Sequence, residues 1–391
     1  MNTNLINQGS YGCIYHPSLS CKTNKTNTKF ITKVQRDRKN SDKEVRISKV
    51  VKRIPKYRQF FGPIESSCDI SISNIQPSEI KKCEFMEEDP HDKYVSNKIR
   101  YIGKETLSEY LLRILKTSPK RLPRVIIECY KYLLKSLSLL NKKNIVHMDL
   151  KENNILIEKK TSNPIIIDFG LAFKLEDTKN LDMETQRNIF FTYGVDYIPW
   201  CIDIAIITYI NQLNDLTTQV TSDQLNTIVE DYFEKNPLIN NTNSNVQYFS
   251  TSEIAEYKNT LLSYLNQHIG KSWAEFINSI KLASIDTWDN YAMAAIFYQI
   301  VCDSTLNNES AFIPLINVLK TILLASPENR MDADESLIQL NNKYNTIYKS
   351  TYRSTNIREP SQLEQIERNH LKTKMAILER EEQVQKILDE Q

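Results

Sequence analysis

Two short apolar segments in this 391-residue chain each end on an acid. Ile145-Val146 leads into His147-Met148-Asp149-Leu150-Lys151, and Ile165-Ile166-Ile167 into Asp168-Phe169-Gly170. Such a segment reads as a strand or loop edge that sets polar groups beside an apolar anchor. Asn154 can offer a carbonyl oxygen to a hard cation beside Asp168, which suits Mg²⁺ and its preference for oxygen ligands. Lys151, close to Asp149 in sequence, is placed to neutralise charge on a transferring phosphoryl group. A lone aspartate is usually a turn or cap residue, but a set of specified residues at fixed spacing across two segments is not.

The elements that must position these residues follow from periodicity. Leu5-Ile6 runs into Gly9-Ser10-Tyr11-Gly12 and then Cys13-Ile14-Tyr15, and Lys29-Phe30-Ile31-Thr32-Lys33-Val34 comes later. Alternation around two turn segments predicts a hairpin and a third strand. Ser41-Asp42-Lys43-Glu44 is a capping-box signature that opens a helix through Val45, Ile47, Val50 and Val51. From Ser108 onward helical patterns dominate, at Val125–Leu140, Asp286–Val301 and Asp332–Tyr344. An insert over about 203–284 holds helix-like stretches at Asp223–Phe233 and Trp273–Ile280, with Asn240–Asn245 as its internal linker. The tail from Glu359 reads as a charged, Gln-rich helix whose apolar positions keep no single heptad register.

Composition excludes several classes. The chain has seven glycines, where average usage supplies about 27. Their spacing permits neither a G-x-x-x-x-G-K loop nor G-x-G-x-x-G. With 40% hydrophobic and 25% charged residues the chain reads as globular rather than disordered. The formal net charge of +2 points to no particular partner and implies no nucleic-acid ligand. Its distribution is uneven, because Lys22–Arg58 holds a basic excess. That run is either a solvated helix and loop or a docking patch for an acidic partner. Seven scattered cysteines without C-x-x-C predict reduced thiols in a cytosol rather than a disulfide frame or a zinc site. No apolar run is long enough for a membrane span, and the N-terminus has no signal-like h-region.

The Ile145–Leu156 and Ile165–Gly170 segments resemble the catalytic loop and D-F-G segment of eukaryotic-type protein kinases. The resemblance extends over nearly the whole chain outside the insert and tail. It implies an α+β, two-lobed fold: a small β-rich N-lobe with one key helix over 1–102, and a larger, mostly helical C-lobe over 103–350 carrying the helical insert. A charged helical tail would occupy 351–391. Carried over residue by residue, Asp149 resembles the catalytic base, and Asn154 and Asp168 the Mg²⁺ ligands. His147 resembles the loop's structural histidine, and Lys151 is the residue type typical of serine/threonine kinases. Asn7-Gln8-Gly9-Ser10-Tyr11-Gly12-Cys13-Ile14 is similar to the glycine-rich loop over the ATP phosphates, with Asn7 in place of its first glycine. Ile6, Gly9, Gly12 and Ile14 would then line the nucleotide. Lys33 matches the lysine on the α- and β-phosphates. Glu44 fits both the capping box and the helical glutamate that pairs with that lysine, and the ion pair is the reading adopted. Lys98–Leu107 resembles the adenine hinge, with Ile99 near the gatekeeper and Arg100 and Ile102 offering backbone groups.

Departures from the family pattern carry expectations of their own. Met148 stands where many kinases carry an arginine that grips an activation-loop phosphate, so activation by that route is not expected. Tyr197-Ile198-Pro199-Trp200 replaces A-P-E, so the usual glutamate is missing, while Arg330 resembles its partner arginine and is left with an unassigned partner. Asp286–Ala292 is similar to the segment whose buried aspartate braces the catalytic loop. The resemblance implies ATP and Mg²⁺ as cofactors and a protein as substrate. A pseudokinase scaffold and a small-molecule kinase stand as alternatives; the first would have lost Lys33, Asp149 or Asp168, and the second lacks a reason for Lys151 beside a full D-F-G. The Asn-, Ile- and Lys-rich composition also resembles kinases of large DNA viruses, which would place the protein in a host cytoplasm or a virion.

Overall fold

The computed structural model describes residues 3–9, 12–19, 26–36, 38–71, 73, 75–88, 93–179, 182–240, 246–303 and 310–353. The chain through Leu340 forms one compact unit, and Asn341 onward a second. Most of the expected tail falls outside the described residues, as does nearly all of the linker after Asn240.

The N-terminal region is an antiparallel sheet in the order β1-β2-β3-β6-β5. Its strands are β1 (Asn4–Gly9), β2 (Gly12–His16), β3 (Phe30–Gln35), β5 (Ile64–Ser71) and β6 (Lys93–Arg100). The predicted hairpin and third strand are therefore present. Strand alternation sorts side chains to two faces. Cys13, Tyr15, Val34, Ile70 and Tyr94 pack outward against Ile75, Cys83 and Met86 from the segment holding α2 (Pro77–Ile80) and α3 (Glu84–Glu88). Ile14, Lys33 and Asn97 share the other face through the registers Ile14↔Lys33 and Lys33↔Asn97. Helix α1 (Arg38–Val51) starts before Ser41, so the predicted capping box is not the helix start. Ser41 lies inside the helix, where its hydroxyl donates to Asn97 Oδ1 at 3.2 Å and ties α1 to the sheet.

The two-residue strand β4 (Phe61–Gly62) precedes β5 and pairs in parallel with a later strand at Ile166 and Ile167. Downstream, α4 (Leu107–Thr117) opens with a capping box at Thr106 and Glu109, and α5 (Leu122–Asn141) buries a long apolar face. Short strands follow: β7 (Ile145–Val146), β8 (Ile155–Ile157), β9 (Pro164–Ile167) and β10 (Phe173–Lys174). β10 pairs with β7, and β8 with β9, so both acid-bearing segments hang from strand ends. The rest is helical: α6 (Met183–Ile189), α7 (Ile202–Thr208), α8 (Ser222–Lys235), α9 (Pro237–Asn240), α10 (Thr251–Asn266), α11 (Trp273–Ser284), α12 (Trp288–Asp303), α13 (Ile313–Leu323) and α14 (Ala333–Arg353). Helix α12 is buried nearly all round, from Trp288 to Tyr298, as a central core helix must be. The result is a mixed α+β fold with a β-sheet N-terminal region and a helical C-terminal one.

One expectation is corrected here. Cys13 and Cys83 form a disulfide and Cys68 is disulfide-bonded as well, while Cys129, Cys201 and Cys302 are free and buried. Scattered spacing predicts reduced thiols, but spacing carries no information on which strands and straps bring cysteines together, and the cytosolic placement built on it loses that support. Several residues of the basic run, half-exposed as the solvated reading expects, also have intramolecular partners. Arg46 pairs with Asp177, Arg58 with Glu65, Arg38 with Asp69, and Lys52 donates to the Glu65 carbonyl. No described helix is long and apolar enough to cross a membrane.

Candidate active site

Lys33 reaches the centre of the site because β3 presents it on the inward face, directly under α1. Its Nζ lies 3.1 Å from Glu44 Oε2 and 2.8 Å from Asp168 Oδ1. Lys33 is 7% exposed and Glu44 2%. Burial alone would lower the lysine's affinity for its proton, but the two carboxylates more than offset that and hold it above its ordinary range. Asp168 shows the converse balance. Burial pushes its carboxyl up, yet Lys33, the His147 ring and the Gly170 N–H bring it below the usual carboxylate range. Glu44 is fully enclosed, and burial pushes it up against the pull of Lys33. The adopted Lys33–Glu44 ion pair is thus present, and the helix rather than the cap explains Glu44. Gly170 closes over the cluster: a Cβ there would stand 3.2 Å from Asp168 Oδ1 and 3.9 Å from Lys33 Nζ.

Asp149 is held from three sides. Lys151 Nζ donates to its Oδ1 and Oδ2 at 3.1 and 2.9 Å, Asn154 Nδ2 to Oδ2 at 3.0 Å, and the Tyr197 hydroxyl to Oδ1 at 2.8 Å. Asn154 Nδ2 also donates to the Asp149 carbonyl at 2.7 Å. The loop itself is braced from α12. Buried Asp289 accepts the His147 and Met148 N–H groups at 2.7 and 3.1 Å. Met148 adopts a left-handed backbone (φ 69°), a conformation costly for a non-glycine residue and sustained here by those two bonds. Trp200 Nε1 adds a bond to the Met148 carbonyl at 2.9 Å. His147 Nε2 lies 3.0 Å from the Ile167 carbonyl and, as donor, links the loop to the residue before Asp168. The expected bracing aspartate is therefore Asp289, while Asp286 is exposed.

The residues expected to line a nucleotide are placed as follows. Gly9 and Gly12 face each other at the end of the β1–β2 hairpin. Gly12 packs so closely on β3 that a Cβ would collide with the Val34 carbonyl oxygen, a direct reason for glycine there. Ile6 sits at the register shift between Leu5 and Asn7, a bulge that bends the strand. Ile14 lies opposite Lys33 on the inward face. Arg100 ends β6, and its side chain is engaged elsewhere in the protein: Nη1 donates to Glu158 at 2.6 Å and Nη2 to the Arg58 carbonyl at 2.7 Å. Ile102 is buried and packs over Gly62, where any Cβ would stand 2.8 Å from Ile102 Cδ1.

Sequence reasoning missed two residues. Asp203, read as the start of the insert, is the partner of Arg330. Arg330 Nη1 donates to Oδ2 at 2.6 Å and Nη2 to Oδ1 at 3.0 Å, with both side chains 0% exposed. The available signal is a single acid inside the apolar run Ile202–Ile207. Tyr197 belongs to a visibly divergent motif, but nothing in the sequence places its hydroxyl on Asp149.

The protein kinase domain family model matches residues 2–192. A stretch of 82 residues, 21% of this chain and 15% of the relative, is 33% identical to "Probable serine/threonine-protein kinase fnkB" of Dictyostelium discoideum. Another of 52 residues, 13% of this chain, is 48% identical to "Titin homolog" of Caenorhabditis elegans and amounts to a share of that protein that rounds to 0%. The chain spans a small fraction of the length of either relative. Lys33, Glu44, Asp149, Asn154 and Asp168 all lie within the stretch that matches the protein kinase domain model, so residues 2–192 are similar to a protein kinase domain.

Proposed function

We propose that this protein transfers the terminal phosphoryl group of ATP to serine or threonine hydroxyls of proteins, with Asp149 as catalytic base. The observation that carries the reading is the Lys33 bridge to Glu44 and Asp168, formed while Asp149 stands oriented by Lys151, Asn154 and Tyr197. Lys33, charged and nearly dry, would grip the α- and β-phosphates. Gly9 and Gly12 would let the β1–β2 backbone approach them, with Ile6 and Ile14 against the nucleotide. Ile102 would receive adenine through backbone groups; for Arg100 the same applies to its main chain, since its side chain is engaged elsewhere. Asp149 would accept the acceptor hydroxyl's proton as that oxygen attacks phosphorus, and Lys151 would offset negative charge on the transferring group.

The donor set fits a magnesium ion. Asn154 spends its amide nitrogen on Asp149, which leaves its carbonyl oxygen to present, and Asp168 adds a carboxylate. Among the described residues no group of three or more His, Cys, Asp and Glu could hold a metal alone, so the remaining ligands would be phosphate and water oxygens. When bound, that ion neutralises phosphate charge. Lys151, as in the serine/threonine branch, favours an aliphatic hydroxyl as acceptor.

Purified protein incubated with Mg²⁺, labelled ATP and a panel of protein acceptors tests this. Label is expected on serine and threonine and lost in Lys33→Met. Label confined to small molecules, or equal incorporation by Lys33→Met, would refute it.

A further inference from the structure

Helix α1 carries Glu44 on one side and Arg46 on another. Arg46 extends its guanidinium to the turn just after β10, where Nη1 and Nη2 donate to Asp177 Oδ1 and Oδ2 at 2.9 and 2.7 Å. We propose that this fork is the positioning latch that keeps α1, and with it Glu44, seated on Lys33 without any phosphorylated loop residue. The inference rests on the phosphotransfer reading above and concerns how that site is kept assembled.

The turn holding Asp177 is fixed independently of α1. It spans Leu175–Thr178, and Asp177 accepts the Lys174 N–H at 3.0 Å. The Leu175 N–H donates to the Asn144 carbonyl at 2.9 Å, next to β7 and the Asp149 loop. Lys281 from α11 donates to the Thr178 carbonyl at 2.6 Å from a buried position. Asp177 is therefore a fixed anion on the helical side, and Arg46 ties α1 to it through a bidentate bond that a point charge could not supply. Burial pushes the Asp177 carboxyl up, but Arg46 and the Lys174 N–H bring it below the ordinary range, so it stays charged near neutrality.

The position where many kinases carry the phosphate-gripping arginine offers none here. Met148 is buried and apolar, with no charge to offer a phosphate. Thr178 is 5% exposed and its hydroxyl donates to the Leu175 carbonyl at 2.9 Å, so it cannot take a phosphate without opening the turn. Glu44 and Arg46 stand on the same helix, so a tether on Arg46 helps keep the 3.1 Å Lys33–Glu44 pair closed. The Arg46–Asp177 pair is half-exposed, with side-chain exposures of 50% and 25%. Its contribution to global stability is accordingly small. Its effect falls on the seating of α1.

The test uses the full chain, treated with phosphatase and confirmed unphosphorylated by mass spectrometry. Arg46→Met and Asp177→Asn are each expected to lower kcat for protein phosphorylation about five- to tenfold, and to speed amide exchange in α1, with thermal midpoints nearly unchanged. The double variant should lose no more than either single one, and Asp177→Glu should recover most of the rate. Wild-type α1 exchange in both single variants, or additive losses in the double, would overturn the latch. So would loss of wild-type activity on phosphatase treatment. If the wild type transfers no phosphate at all, the kinase reading fails alone, and α1 exchange still decides the latch.

Discussion

Asp203→Asn changes one atom type in the most buried ion pair described in this chain. Asp203 Oδ1 accepts Arg330 Nη2 at 3.0 Å, and Oδ2 accepts Nη1 at 2.6 Å and Trp288 Nε1 at 3.2 Å. Arg330 also donates to Thr287 at 3.3 Å and lies 5.3 Å from the Tyr291 ring centre. An asparagine must turn its amide N–H₂ toward one of these donors. That loses at least one bond and leaves the guanidinium as an uncompensated charge in a dry site. Removing one partner of a buried pair costs about 3–5 kcal/mol. Unfolding entropy near 2.1 cal/mol/K per residue, over the compact unit through Leu340, converts about 4 kcal/mol into a fall of roughly 6 °C in Tm. Scanning calorimetry reads this directly. Removing both partners, in Asp203→Leu with Arg330→Met, leaves no stranded charge and should cost much less. A single variant melting within about 1 °C of wild type, or a double variant as unstable as the single, would refute the idea that this pair replaces the missing glutamate.

Two further outcomes follow from buried groups. Burial lowers the Lys281 ammonium to about 8 from 10.5, so between those values the unfolded chain binds more protons and this group's penalty on stability fades as pH rises. Lys281→Met should therefore gain about 1–2 kcal/mol at pH 7, after loss of the Thr178 bond, and show no gain above roughly pH 10.5; urea titrations at both pH values check it. The Cys13–Cys83 bond closes a separation of 70 residues, and its loss in Cys13→Ser should cost about 4 kcal/mol of stability and raise KM for ATP by loosening β2 beside Gly12; an unchanged unfolding midpoint would contradict it.

The residues of the candidate site can be picked out of the sequence because each is local to its motif. Lys33, Glu44, Asp149, Asn154 and Asp168 stand at spacings that strands and a helix turn into fixed positions, and the structure brings Lys33, Glu44 and Asp168 together while bonding Asn154 to Asp149. What is not legible depends on contacts between distant segments. Cys13 meets Cys83 because the α2–α3 strap covers the outer sheet face, and no spacing rule encodes that packing. Ser41 reads as a cap by type, yet tertiary contact with Asn97 lets the helix begin earlier. Asp203 is hidden because the family pattern directs attention to a glutamate beside Pro199, whereas the first turn of α7 delivers the carboxylate from farther along. Arg100 falls at the expected strand end, but only its neighbours Glu158 and Arg58 determine where its side chain goes.

The central proposal is that Asp149 performs chemistry in a nucleotide site built by Lys33, Glu44 and Asp168. MgATP affinity and single-turnover phosphoryl transfer, measured side by side on wild type and Asp149→Asn, probe this without intermediaries. Binding should stay unchanged within about twofold while transfer falls on the order of 10²–10⁴-fold, the range for loss of a general base. Equal transfer by both proteins, or a wild type that binds no MgATP, would contradict it.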